Sequence, residues 1–117
     1  MIVVAAHLDY ATSEIRDAVV AQSAPIQMAT RTDEAGCHAY CFAADPSIDT
    51  RIQVYELWED QESLAAHFLH ANYEAMKVLL VSNKPSNAWN RMYLVAKDEP
   101  VYGPNGEIRS TFFGDSL

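Results

Sequence analysis

The sequence is short of glycine, proline, cysteine and positive charge, and each shortage excludes something. Four glycines and five prolines among 117 residues are too few for a collagenous or low-complexity chain. With half of the residues hydrophobic, the composition is that of one folded domain. Lysine and arginine number 8 against 16 acidic residues, a formal charge of −8 and a pI near 4.7. Binding to nucleic acid without sequence preference needs a positive surface, and anionic membranes would repel this one, so neither is expected as a partner. No stretch approaches the ~18 apolar residues of a membrane span, and the N-terminal apolar run stops at His7 and Asp9 with no basic segment before it, so no leader is expected. Cys37 and Cys41 fall in a strand-like segment, where they would share a face about 13 Å apart, too far to bridge. Free thiols imply a reducing compartment, and a cytoplasmic location is expected.

What is present reads as alternating elements. Residues 2–8 are rich in Val and Ala and suit a short strand. Thr12 or Ser13 can cap a helix whose apolar positions are Ile15, Val19, Ile26 and Ala29, with Gln22 on the same face and Pro25 expected to kink or split it. Polar residues 30–36 end in Gly36, a helix stop. Cys37 to Ala44 reads as a second strand and Arg51 to Glu59 as a third, with Glu56 and Trp58 on one face and Tyr55 on the other. Asp60 can cap a second helix running to about Leu80 on a stripe of Leu64, Phe68, Ala71 or Ala75, and Leu79; Asn90 to Ala96 is the fourth strand. Residues 1–98 then form one domain, and residues 99–117 form a tail, either an edge hairpin or a dimer arm.

This order predicts an α+β, ferredoxin-like fold: a four-stranded antiparallel sheet with both helices on one face. The other face, expected to carry Glu56 and Trp58 while Tyr55 faces the helices, then needs a cover that so short a chain cannot supply. A second copy of the chain is the economical cover, making a homodimer in which the paired sheets form an α+β barrel.

The segments Gly36-Cys37 with Tyr40, Tyr55 to Asp60, and Leu64 to His67 resemble, in their order and spacing, the antibiotic biosynthesis monooxygenase (ABM) family over roughly residues 1–98. The resemblance implies a dimeric α+β barrel and activities that include cofactor-independent oxygenation of quinols and aromatic polyketides, haem degradation, and isomerisation of a small phosphorylated sugar. The residue pattern separates these branches. Where haem degraders carry their working Asn, Trp and ligating His, this chain has His7, His67 and Lys77, so the haem ligand is missing. Where polyketide oxygenases carry an Asn four before the Trp, this chain has Val54, and their Tyr and Arg positions fall near Leu64 and Lys77. Tyr55-Glu56, Asp60 and His67 through Tyr73 match best the quinol-monooxygenase-like branch.

The expected chemistry is therefore oxidation of a quinol or electron-rich aromatic by O2, with no cofactor. A carboxylate at Glu56, partly desolvated, would exchange a proton, and His67, with an ordinary imidazole pKa near neutrality, would relay one. His7, Trp58 and Tyr40 would line the substrate pocket. The four histidines are dispersed, so no metal is expected. Two other readings stay open: an isomerase of a small phosphorylated carbonyl compound, and a dimer that binds a small molecule without catalysis.

Overall fold

The computed structural model describes residues 1–116. Strands β1 (Ile2–Asp9), β2 (Cys37–Ala44), β3 (Arg51–Trp58) and β4 (Asn87–Leu94) form one antiparallel sheet in the order β2-β3-β1-β4. Helices α1 (Ser13–Asp33), α2 (Gln61–Phe68) and α3 (Ala71–Ser82) fill the connections, and a hairpin of β5 (Thr111–Phe112) and β6 (Asp115–Ser116) stands in the tail. The ferredoxin-like order is thus present. The barrel is not: β2 and β4 are the two ends of the sheet and do not pair with each other, so the sheet stays open.

The face assignment also differs from expectation. Register pairs Ile2 with Trp58, Val4 with Glu56 and Ala6 with Val54, and these residues pack with α1 and α2 side chains in the core. Glu56 and Trp58 therefore face the helices, while Tyr55, 47% exposed, lies on the open face. Alternation fixes which residues share a face but does not say which face the helices cover.

Three local features explain further departures. Helix α1 continues through Pro25; Pro25 and Ala21, whose carbonyl loses its partner, both lie on the solvent side, where water can take the bond. Its buried stripe is mostly polar, Arg16, Val19, Ser23, Gln27 and Thr30, because all four polar side chains bond backbone. Gln27 donates to the Phe42 carbonyl and accepts from the Phe42 N–H, both at 3.0 Å. Arg16 reaches the carbonyls of Asp45, Ile48 and Arg51 around the β2–β3 loop. The expected single second helix is two: the chain turns at Leu69, and the His70 ring accepts from the Asn72 N–H to cap α3. Finally, a bulge between Cys37 and Ala39 inserts His38 into β2. It shifts the alternation by one, so Cys37 aligns with Trp58 and Cys41 with Tyr55, on opposite faces rather than one.

Gly36 precedes that bulge. A Cβ there would lie 2.1 Å from Ser63 Oγ and 2.3 Å from its Cβ, so only glycine lets the β2 entrance approach α2 this closely. Its carbonyl accepts from the Glu59 N–H at 2.9 Å, which joins the end of β3 to the same point. Strand β4 starts three residues earlier and ends two earlier than the alternation suggests, and it is exposed along its whole length. The tail folds on itself: Tyr102 bridges Ile108, and Glu99 holds both the Arg109 guanidinium and the Phe113 N–H. Leu117, the end of the expected tail, lies outside the described residues.

Candidate active site

Between the helix side of the sheet and α2–α3 lies a cavity of about 460 Å³, with Val4, Leu8, Phe42, Val54 and Leu64 among its apolar walls. A buried carboxyl and a buried imidazole reach into it, and the local structure aims both. Glu56 sits mid-strand in β3, where the pleat directs it inward, and it is 8% exposed. His67 sits one turn beyond Leu64 on α2, and is 2% exposed. Trp58, fully buried, stands beside both: its indole N–H donates to Glu56 Oε1 at 2.9 Å, and its ring centre is 4.5 Å from that of His67. Tyr40 closes the group edge-on, 6.3 Å from Trp58 and 5.5 Å from His67 between ring centres.

Burial sets the protonation of these groups. Loss of water pushes Glu56 up to about 7; the Trp58 hydrogen bond opposes this and the Glu34 charge adds to it. Burial pulls His67 below the ordinary imidazole value, against the upward pull of Glu34. Burial also raises the Tyr40 phenol well above its usual range, so it stays a neutral hydroxyl. Near neutral pH the site thus offers a carboxyl close to half-protonated and a neutral imidazole, the states proton transfer requires.

The polar atoms left free are informative. Glu56 uses Oε1 for Trp58, and His67 uses Nδ1 for Glu34 at 2.8 Å. Oε2 of Glu56 and Nε2 of His67 bond to nothing among the described residues, where no buried side-chain polar atom is both sealed and unpartnered. Both atoms are therefore reachable from the cavity.

Of the expected site residues, Glu56, His67, Trp58 and Tyr40 come together on the helix side. His7 is placed apart: it pairs with Gln53 on the opposite face from Glu56, and its ring stacks on Trp89 at 5.6 Å, at the cavity rim. The sequence reading missed Glu34, Tyr73 and Met76. Glu34 carried a signal, since an acidic residue at a helix C-terminus opposes the helix dipole and asks for another reason. Tyr73, with its ring 5.5 Å from His67, and Met76, which is buried, became cavity residues only because the chain breaks at Leu69. Among the described residues no three His, Cys, Asp or Glu side chains gather as a metal-binding set.

An open ferredoxin-like sheet, helices on one face, and a carboxyl and an imidazole sunk in an apolar cavity beneath them define a small α+β protein. The model of the antibiotic biosynthesis monooxygenase family matches residues 1–78, and the chain belongs to that family. No curated protein matches it. Among solved structures it is similar to a candidate antibiotic biosynthesis monooxygenase from Deinococcus radiodurans (TM-score 0.76, 18% identity, 88% of this chain and 100% of that one). It is also similar to candidate members from Nitrosomonas europaea (0.69, 15%, 83% and 100%) and Caulobacter crescentus (0.67, 16%, 82% and 90%). At these identities the likeness establishes the fold and leaves the substrate to the site.

Proposed function

We propose that the protein is a monooxygenase of the quinol-oxidising kind, which uses O2 on a quinol or another electron-rich, polyketide-like aromatic without a bound cofactor. The observation that carries this reading is the pair of free atoms, Glu56 Oε2 and His67 Nε2, opening into one apolar cavity. A phenolic hydroxyl placed there gives its proton to one of them. The resulting phenolate is rich enough in electrons to react with O2. One oxygen atom then enters the ring and the other leaves as water, with the quinol's own electrons supplying the reduction. Tyr40 offers a flat wall for an aromatic ring, Trp58 is packed behind Glu56 and His67 instead of on the cavity wall, and His7 stands at the entrance with Trp89.

Turnover of a quinol panel by the purified protein, with and without O2, tests the reading. Product should form only aerobically, with one atom of labelled oxygen incorporated; equal rates in both conditions overturn it. A second reading, isomerisation of a small phosphorylated carbonyl compound, has Lys77 at the cavity rim in its favour. It requires O2-independent interconversion that Lys77→Ala weakens. A protein that only binds would keep its biological activity in Glu56→Gln and His67→Ala.

Residues 1–98 carry this chemistry, and the tail beyond them serves as an arm toward a second copy of the chain. Support comes from the exposed Tyr55, Trp89 and Tyr93 on the open face and the exposed Val101 and Ile108 in the arm. Sedimentation at micromolar concentration should give a homodimer that removal of the arm weakens; a monomer overturns it.

A further inference from the structure

His67 is held from behind by a residue outside the cavity group. We propose that Glu34 is a positioning residue: its carboxylate fixes His67 as the Nδ1–H tautomer and so presents an unprotonated Nε2 to the cavity. The proposal deepens the proton-transfer reading above and rests on it for its consequence in catalysis.

The carboxylate is itself fixed in place. Glu34 ends α1, where its N–H donates to the Thr30 carbonyl at 3.3 Å and its own carbonyl accepts from the Cys37 N–H at 3.0 Å. Both of its oxygens are engaged: Oε1 faces His67 Nδ1 at 2.8 Å, and Oε2 accepts from the Asn72 side-chain amide at 3.1 Å. Asn72 is held in turn, because its backbone N–H donates to His70 Nδ1 at 3.0 Å. Side chains from α2 and α3 thereby close around the carboxylate at the end of α1, whose side chain is only 8% exposed.

The tautomer follows from that arrangement. A carboxylate can only accept, so Nδ1 of His67 must donate, and a neutral imidazole that donates from one nitrogen accepts at the other. Packing against three other rings holds the imidazole in this orientation. Trp58 lies against it at 4.5 Å, with Tyr40 and Tyr73 edge-on at 5.5 Å each. The groups facing His67 are Glu34 from α1, Tyr40 from β2, Tyr73 from α3 and His70 before it, with Glu56 across the cavity from β3. Of these, only Glu34 bonds the imidazole.

Removing the charge has a signed consequence. Glu34 pulls His67 up against burial and also helps to hold Glu56 up, so Glu34→Gln should lower both titrations together. A residue that merely fills space would move neither.

The test is side-chain nitrogen NMR of histidine in the 15N-labelled full-length protein, beside the pH–rate profile with a turned-over quinol. Wild type should show His67 with a protonated Nδ1 and a bare Nε2. In Glu34→Gln the amide can donate as well as accept, so Nε2–H should gain population, the His67 titration should move to lower pH, and kcat should fall about 10–100-fold with KM little changed, the size typical for a group that orients a working histidine. Glu34→Asp should restore part of the loss. If Glu34→Gln does not fold, Asn72→Leu, which frees Oε2 alone, should change the tautomer ratio in the same direction by less. A wild-type His67 found as Nε2–H, or a tautomer and pH profile unmoved in the variants, overturns the proposal. The NMR needs no substrate: a bare Nε2 in a protein that oxidises no quinol would sink the function and leave the positioning role standing. Quinol turnover with the opposite tautomer would do the reverse.

Discussion

The two ends of the sheet, β2 and β4, are strands of eight residues each, and they meet opposite fates. Beside β2 stands α1, whose Gln27 bonds both backbone groups of Phe42 and whose Arg31 donates to the Tyr40 carbonyl at 2.7 Å. These contacts blunt that edge from within the chain and bury Tyr40 and Phe42. No helix side chain bonds the backbone of β4 among the described residues, and Met92 and Leu94, on its helix-facing side, are 61% and 71% exposed. The difference lies in what covers each strand. The cavity falls on the line between the covered and uncovered halves, which is why it combines buried, pKa-shifted groups with an open rim.

The largest effects should come from the covered half. Glu56→Gln removes the exchangeable proton while keeping the shape and an acceptor for Trp58, and kcat should fall by about 10²–10⁴. Steady-state oxidation of a quinol checks it, and a loss below about threefold would assign the chemistry elsewhere. The same substitution should stabilise the fold, because Glu56 is raised from 4.5 to about 7 by burial. As pH rises from 4.5 to 7, the unfolded chain releases this proton while the native chain keeps it, so stability falls across that window and stays lower above it. Glutamine escapes this penalty, so Glu56→Gln should gain up to about 3 kcal/mol above pH 7 and nothing below pH 4. Urea unfolding at several pH values reads the difference. His67, held low by burial, has the opposite sign: it makes the fold lose stability as pH falls below the ordinary imidazole range.

How much of this was legible in the sequence depends on the range of the cause. The alternation of β3 and the Asp60 cap are local, and that strand and the start of α2 stand where the pattern put them. The sharing of a face by Glu56 and Trp58 was legible for the same reason. Which side that face looks to was not, because it depends on where α1 and α2 dock. The bulge at His38 is one inserted residue with no composition of its own, and it overturned the shared face assigned to Cys37 and Cys41. The break at Leu69 was hidden because its cap is a histidine, outside the usual Ser, Thr, Asp and Asn. Glu34 lay in a polar stretch that read as a helix stop, and only the fold brings it to His67, thirty-three residues on.

The edges themselves can be compared directly by removing one side chain from each. Gln27→Ala deprives the Phe42 N–H and carbonyl of their partner at the covered edge. Each buried group left unmade costs about 1–3 kcal/mol, reduced here by whatever water enters, so a loss of about 2 kcal/mol is expected. Met92→Ala removes a larger apolar side chain from the uncovered edge, yet a residue already 61% exposed has little burial to lose. The monomer should lose no more than about 0.5 kcal/mol. Chemical denaturation of both variants at submicromolar concentration, where self-association is weakest, measures the contrast. If Met92→Ala becomes costly only as protein concentration rises, its surface is buried in an assembly, and the asymmetry between β2 and β4 belongs to the single chain alone.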